Sequence, residues 1–201
     1  EFLPISSTAH LILLPAMFGW TLDPQAVFVF DVLLQFGTVI SVVIYFWKDL
    51  WGILKAVVAG VIARKPFETT EARLGWIIVL GTVPAVVIGL IFKDMVEGLH
   101  QQPLIVAAIM GLAAFLIFAS ERIGRRERSI ESLDWKDALI IGTFQTLALF
   151  PGVSRSAATI CGGLVRGLDR PAAARFSFLL MVPALTGASV VAVKDLLDVP
   201  N

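Results

Sequence analysis

The sequence predicts an all-α, polytopic membrane protein with re-entrant helix hairpins and an inverted-topology repeat. Three observations carry that reading. The 201 residues are 57% hydrophobic and only 16% charged, with mean hydropathy +0.85, against about 45–50% apolar and about 25% charged in water-soluble chains. Four apolar runs of 17 to 20 residues approach the ~20 needed to cross ~30 Å of hydrocarbon as helix. Two polar, hydroxyl-rich segments follow prolines at depths where polar groups are costly.

Composition also excludes classes. Sixteen basic and sixteen acidic side chains cancel, so no net field argues for nucleic acid. Cys161 stands alone; it can form no intrachain disulfide or thiolate metal site and reads as a packing residue. The chain opens at Glu1 within a motif and closes on Val199-Pro200-Asn201, which reads as a fragment. We therefore expect one membrane domain over 1–201, with a first repeat over 1–120 lacking its N-terminus. The second repeat, over 121–201, lacks its C-terminal spans.

The elements follow in order. Phe28–Trp47, Gly75–Phe92, Leu104–Ser120 and Ser177–Val193 are transmembrane helices, the last three without charge. Trp51–Ala63 is shorter and holds Lys55, so it is a cytoplasmic extension or interfacial helix. Ala138–Phe150 is 13 residues and stops at Pro151-Gly152, after which Ala157–Val165 turns helical again. Helix, break, helix between Asp137 and Arg166 has the shape of a re-entrant hairpin. Lysine and arginine number five in 48–74, one in 93–103 and five in 121–137, which places 93–103 outside and the others in the cytoplasm. A full crossing by 138–165 would put Arg166, Arg170 and Arg175 outside; a re-entrant hairpin keeps them inside, as the rule prefers. Residues 1–27 then lie on the outer side. Trp20, Trp47, Trp51, Trp76 and Trp135 fall near span ends as an interfacial belt. Arg122–Arg128 reads as a headgroup-facing loop, and His100 as a solvent-facing loop residue.

A weak internal repeat appears at an offset of 148 residues: Ile5-Ser6 with Val153-Ser154, Ala9 with Ala157, Phe28-x-Phe30 with Phe176-x-Phe178, and Val42-Val43 with Val190-Val191. An odd number of spans between the copies inverts the second. Inverted repeats with broken helices bind their ligands near the bilayer midplane.

The polar clusters sit at the two breaks. In Glu1-Phe2-Leu3-Pro4-Ile5-Ser6-Ser7-Thr8-Ala9-His10, Pro4 stops one helix and the hydroxyls cap the next. Ser7 and His10 are three apart and share a helical face, a nucleophile beside a base or proton donor. In Pro151-Gly152-Val153-Ser154-Arg155-Ser156-Ala157-Ala158-Thr159, a second capped N-terminus offers unpaired N–H groups to an anion. Arg155 adds a forked donor for phosphate oxygens and shares a face with Thr159. Asp31 and Gln35, four apart in a span, either line the cavity or cap a helix.

At these motifs the chain resembles the undecaprenyl-diphosphate phosphatases, the bacitracin-resistance membrane phosphatases of bacteria. The likeness is carried by EFLPISSTAH (1–10), LFPGVSRSAAT (149–159), FDVLLQFGT (30–38) and RFSFLLMVPALTGA (175–188). It implies a hydrolase that removes the terminal phosphate of undecaprenyl diphosphate, recycling the lipid carrier of cell-wall synthesis. By similarity the central residues are Glu1, Ser7, His10 and Arg155, with Ser154 and Thr159 beside them; Ser6, Thr8 and Ser156 join the phosphate-binding hydroxyls. The resemblance further implies stimulation by Mg2+ or Ca2+, for which Glu1 is the candidate ligand, although the sequence shows no complete metal cage. It implies a multi-pass protein of the bacterial plasma (inner) membrane, its site opening to the outer face. The partners are a polyprenyl diphosphate and membrane lipid, no nucleic acid, and a homodimer is left open. Ser7 is the preferred nucleophile with His10 as base or proton donor; His10 as nucleophile, with Ser7 binding phosphate, stays open. Glu1 either holds the cation or orients His10. The rival reading is an inverted-repeat transporter or lipid flippase.

Overall fold

The computed structural model describes residues 1–197, with the backbone alone at 24, 25, 28, 93, 94, 97, 100, 101 and 190–197. The reading of His100 and the Val190-Val191 match fall outside the described side chains. Among the described residues there are eight α-helices: α1 (Ser7–Phe18), α2 (Pro24–Tyr45), α3 (Trp47–Ile62), α4 (Thr70–Glu97), α5 (Pro103–Ile123), α6 (Trp135–Thr146), α7 (Arg155–Val165) and α8 (Arg170–Leu197). The only β feature among them is an isolated bridge between Arg128 and Leu168.

Among the described residues three helices are long and apolar enough to cross a membrane: Thr70–Phe92, Pro103–Ile123 and Arg170–Ser189. Val29–Tyr45 and Trp47–Ile62 pass that test only together, across a bend of 79°. The bend falls at Phe46, whose backbone (φ −97°, ψ 19°) leaves the helical region. Beyond it α3 carries no buried residue. Its Trp47 and Trp51 rings stack at 5.9 Å, and the Lys55 ammonium sits 5.0 Å over Trp51, the side-chain pattern of a helix lying in an interface.

Helices α6 and α7 fold back on each other. A Cβ on Gly162 would stand 3.1 Å from Ile141 Cα and 3.1 Å from Phe144 Cβ, so the two run antiparallel. Their outer ends are tied by Arg166 Nε donating to Asp137 Oδ1 at 2.5 Å. Both ends of the segment therefore lie at one level, as a re-entrant hairpin requires. The turn is made at Gly152 (φ +109°), where a Cβ would meet Val106 O on α5 at 2.8 Å; only glycine fits both the angle and the approach. A second close approach fixes the hairpin on α4, since a Cβ on Gly142 would lie 2.4 Å from Gly81 O. Small residues that let backbones touch are how helices bind in lipid, where apolar packing gains nothing over the tails.

The hairpin end is held by a buried carboxylate. Asp137 is fully buried and closes a capping box with Asp134. It also accepts from Arg128 Nη1 at 3.0 Å and Nη2 at 2.6 Å. Arg128 in turn donates to Arg166 O at 2.9 Å and Ser132 O at 2.8 Å. The loop expected to face headgroups thus uses one of its arginines inward. The apolar core runs from α6 and α7 into α8 through Ile141, Leu164, Leu168, Phe176, Leu180 and Leu185.

Candidate active site

Two helix N-termini meet at a small polar cavity. At α1, Ser6 is the N-cap and its Oγ accepts from the Ala9 N–H at 3.3 Å. At α7, Ser154 is the N-cap and its Oγ accepts from the Ala157 N–H at 3.3 Å. The residue pairs matched across the internal offset make the same cap. Each cap satisfies one of the N–H groups that a helix start leaves unpaired and leaves others for an anion. Ser6 takes a left-handed backbone (φ 60°), unusual for a residue with a side chain and a form of strain that gathers at functional sites.

The cavity, about 40 Å³, is lined by Glu1, Ser6, Ser7 and Thr8 on one side and by Ser154 and Arg155 on the other, with Gln35 from α2. Ser7 Oγ donates to Glu1 Oε1 at 2.5 Å. Arg155 Nη1 is buried and has no hydrogen-bond partner. The charges that act on its guanidinium are those of Glu1 and Asp31. A buried donor left open in this way is costly unless something accepts from it, and Arg155 is one of the residues lining the cavity. Gln35 Nε2 donates to Asp31 Oδ2 at 2.9 Å; of this pair Gln35 lines the cavity and Asp31 is not among the lining residues.

Not every sequence-predicted residue reaches the cavity. His10 and Ser7 do share a helix start, but His10 Nδ1 donates to the Ser6 carbonyl one turn back at 2.8 Å, and His10 is not among the lining residues. Ser156 is fully buried and bonds Ser154 Oγ at 2.9 Å, which places it behind the cap. Thr159 lies deeper, its hydroxyl 2.9 Å from Arg155 O and 2.5 Å from Ser177 Oγ; it ties the arginine's own turn to α8. Ser177 was not singled out from sequence, although it lies inside the RFSFLLMVPALTGA segment. Cys161 is buried and accepts from Ser120 Oγ at 3.3 Å, as a packing residue would.

A metal has only part of a site here. Among the described residues no group of three or more His, Cys, Asp or Glu side chains could hold an ion. Glu1 and Asp31 are the carboxylates that act on Arg155. Of these two, Glu1 alone lines the cavity.

Comparison with known proteins agrees with this geometry. The family model for bacitracin resistance protein BacA matches residues 1–200. The undecaprenyl-diphosphatase of Chlorobaculum tepidum is 50% identical over 197 residues, which cover 94% of this chain and 69% of the relative. The undecaprenyl-diphosphatase of Chlorobium phaeovibrioides is 48% identical over the same shares. That of Myxococcus xanthus is 43% identical over 198 residues, 98% of this chain and 66% of the relative. Together, the match over nearly every residue and the two capped helix starts around an arginine place the chain in the bacitracin resistance protein BacA family.

Proposed function

We propose that the protein hydrolyses a polyprenyl diphosphate, undecaprenyl diphosphate by its relatives' names, to the monophosphate and inorganic phosphate. The observation that carries this reading is a serine already bonded to a carboxylate in a polar cavity that Arg155 also lines. Arg155 and the two N-termini hold the diphosphate and stabilise charge spreading over the transferred phosphoryl oxygens. Ser7 Oγ attacks the terminal phosphorus; the Oγ–P bond forms, the bridging P–O bond breaks, and the Ser7 proton passes to Glu1. The lipid monophosphate leaves, and water then cleaves the phosphoserine. Glu1 takes the role of base because it already accepts from Ser7 Oγ; the His10 Nδ1 bond to the Ser6 carbonyl orients that ring and leaves Nε2 for a proton on the leaving group. A divalent cation held by Glu1 and the diphosphate would offset negative charge in the closed site. We further place the site on the outer side of the bacterial inner membrane, at the interface of inverted repeats, on the strength of loop charges and the paired caps.

A transporter or flippase is not favoured, because moving a lipid gives no use for a serine hydrogen-bonded to a carboxylate opposite an arginine. Phosphate release by the full-length protein in detergent tests the reading. Arg155→Lys keeps charge but loses the fork and should lower kcat roughly 10²–10³-fold with a smaller change in KM. A well-folded Arg155→Ala protein with parental turnover would refute the clamp.

A further inference from the structure

A groove of about 630 Å³ lies between α2 and α8, many times larger than the polar cradle. Its walls are apolar: Val42 and Phe46 on one side, Ala174 and Phe178 on the other. One end is closed by the ion pair of Arg175 Nη2 and Asp49 Oδ1 at 2.9 Å. The other end is Phe2, whose ring meets that of Phe178 edge-on at 5.4 Å. Phe2 follows Glu1 in the chain, and Glu1 lines the cradle. The apolar groove therefore begins one residue from where the phosphate-binding cavity ends.

We propose that this groove holds the isoprenoid tail of the diphosphate substrate. The proposal rests on the phosphatase reading above, which supplies the head group. A molecule that is a diphosphate at one end and a branched hydrocarbon at the other needs a charged cradle opening directly onto an apolar channel, and Glu1-Phe2 is that junction. The aromatic walls present flat apolar faces without buried polar groups to desolvate. Direction agrees as well. Loop charges run α2 inward, so Val42 and Phe46 lie in its cytoplasmic half, and Ala174 and Phe178 lie at the cytoplasmic start of α8. The groove is thus on the inner side of the cradle. A lipid seated there has its diphosphate at the cradle and its tail running toward the cytoplasmic side. The Asp49–Arg175 pair ends the groove where the hydrocarbon gives way to water.

The test uses the full-length protein with two substrates, undecaprenyl diphosphate and the short-chain farnesyl diphosphate. Ala174→Trp, one helical turn beyond Phe178, fills the distal groove and leaves the cradle intact. Its kcat/KM for the long substrate should fall roughly tenfold through KM, while that for the short one stays within about twofold. Equal losses on both substrates, or no loss on either, would overturn the proposal. A binding experiment separates this from the phosphatase reading: a diazirine-bearing polyprenyl diphosphate should crosslink within 41–46 and 171–178 whether or not it is cleaved. Undecaprenyl diphosphate should compete for that crosslink and phosphatidylglycerol should not. Crosslinks elsewhere, or equal competition by phosphatidylglycerol, would mean the groove takes bulk lipid.

Discussion

Replacing Asp137 by alanine removes the anchor at which three segments meet. The fully buried carboxylate accepts from both Nη atoms of Arg128, from Arg166 Nε and from the Asp134 N–H. Breaking a buried ion pair by deleting one partner costs about 3–5 kcal/mol, because the remaining charge is left uncompensated. Here both arginine side chains keep 31% exposure, so the freed guanidiniums can hydrate, and the low end, about 3 kcal/mol, is expected. For a chain of this size that is a fall of roughly 6–12 °C in melting temperature, read by tryptophan fluorescence in detergent. Asp137→Asn, which keeps the shape and the helix cap, should lose about half as much. Acid should reproduce the effect. Burial pushes the Asp137 carboxyl up, but the hydrogen bonds from Arg128 and Arg166 outweigh it and hold the group below its ordinary value. A group whose folded value lies below its unfolded one stabilises above the unfolded value and loses that contribution as pH falls through the folded one. The gap between parent and Asp137→Ala should therefore stay constant from neutral pH to about 5 and close below about 4. An alanine variant that melts within about 2 °C of the parent at neutral pH would refute the anchor.

The other predictions concern the catalytic pair, the helix contact and the topology. Ser7→Ala should abolish phosphate release while leaving substrate binding, and Glu1→Gln should lower kcat by about 10²–10⁴ as loss of a general base does; equal rates for Glu1→Gln and parent would return the base to His10. Gly142→Ala forces a methyl to within 2.4 Å of the Gly81 carbonyl and should cost about 1–3 kcal/mol by overpacking, seen as a lower melting temperature. Cysteines at Glu127 and Arg170 should react with a membrane-impermeant reagent from one side and a cysteine at Gln102 from the other; outside labelling at Arg170 would undo the re-entrant hairpin.

The hydrophobic and charge patterns reached far into this fold, and the particular residues show where they stopped. Apolar run length located α2, α4, α5 and α8, because crossing a bilayer imposes a length that no propensity argument needs to refine. The turn at Pro151-Gly152 and the arginines after it located the hairpin. The polar cradle was legible in the clustering of Ser6, Ser7, Thr8, Ser154 and Arg155 at two helix starts. What escaped was pairing. Spacing put Ser7 and His10 on one face and could not show that His10 Nδ1 bonds the carbonyl four residues back, which orients the ring without using Nε2. The partner of Ser7 is Glu1, six residues earlier across the proline break, where helical periodicity says nothing. Asp137 stood out only as a flank of the hairpin, and its pairing was hidden because the two arginines are 9 and 29 residues distant. Gln35 could not be assigned because a lining role and a capping role leave the same trace in sequence.

The shortness of the hairpin helices bears on how the protein is made. At 12 and 11 residues, α6 and α7 span roughly 18 Å and 16 Å, and neither can enter a ~30 Å bilayer by itself as a stable segment. Their lodging place is built by other helices: the Gly81 notch of α4, the α5 backbone at Val106 and the face of α8 around Ala173. During synthesis α4 and α5 emerge before the hairpin and α8 after it. Stable seating of Arg155 must therefore wait until the last of these has arrived. Lesions in α4 or α8 would surface first as a hairpin stranded at the cytoplasmic face, open to proteases, in a protein whose long spans are already in place.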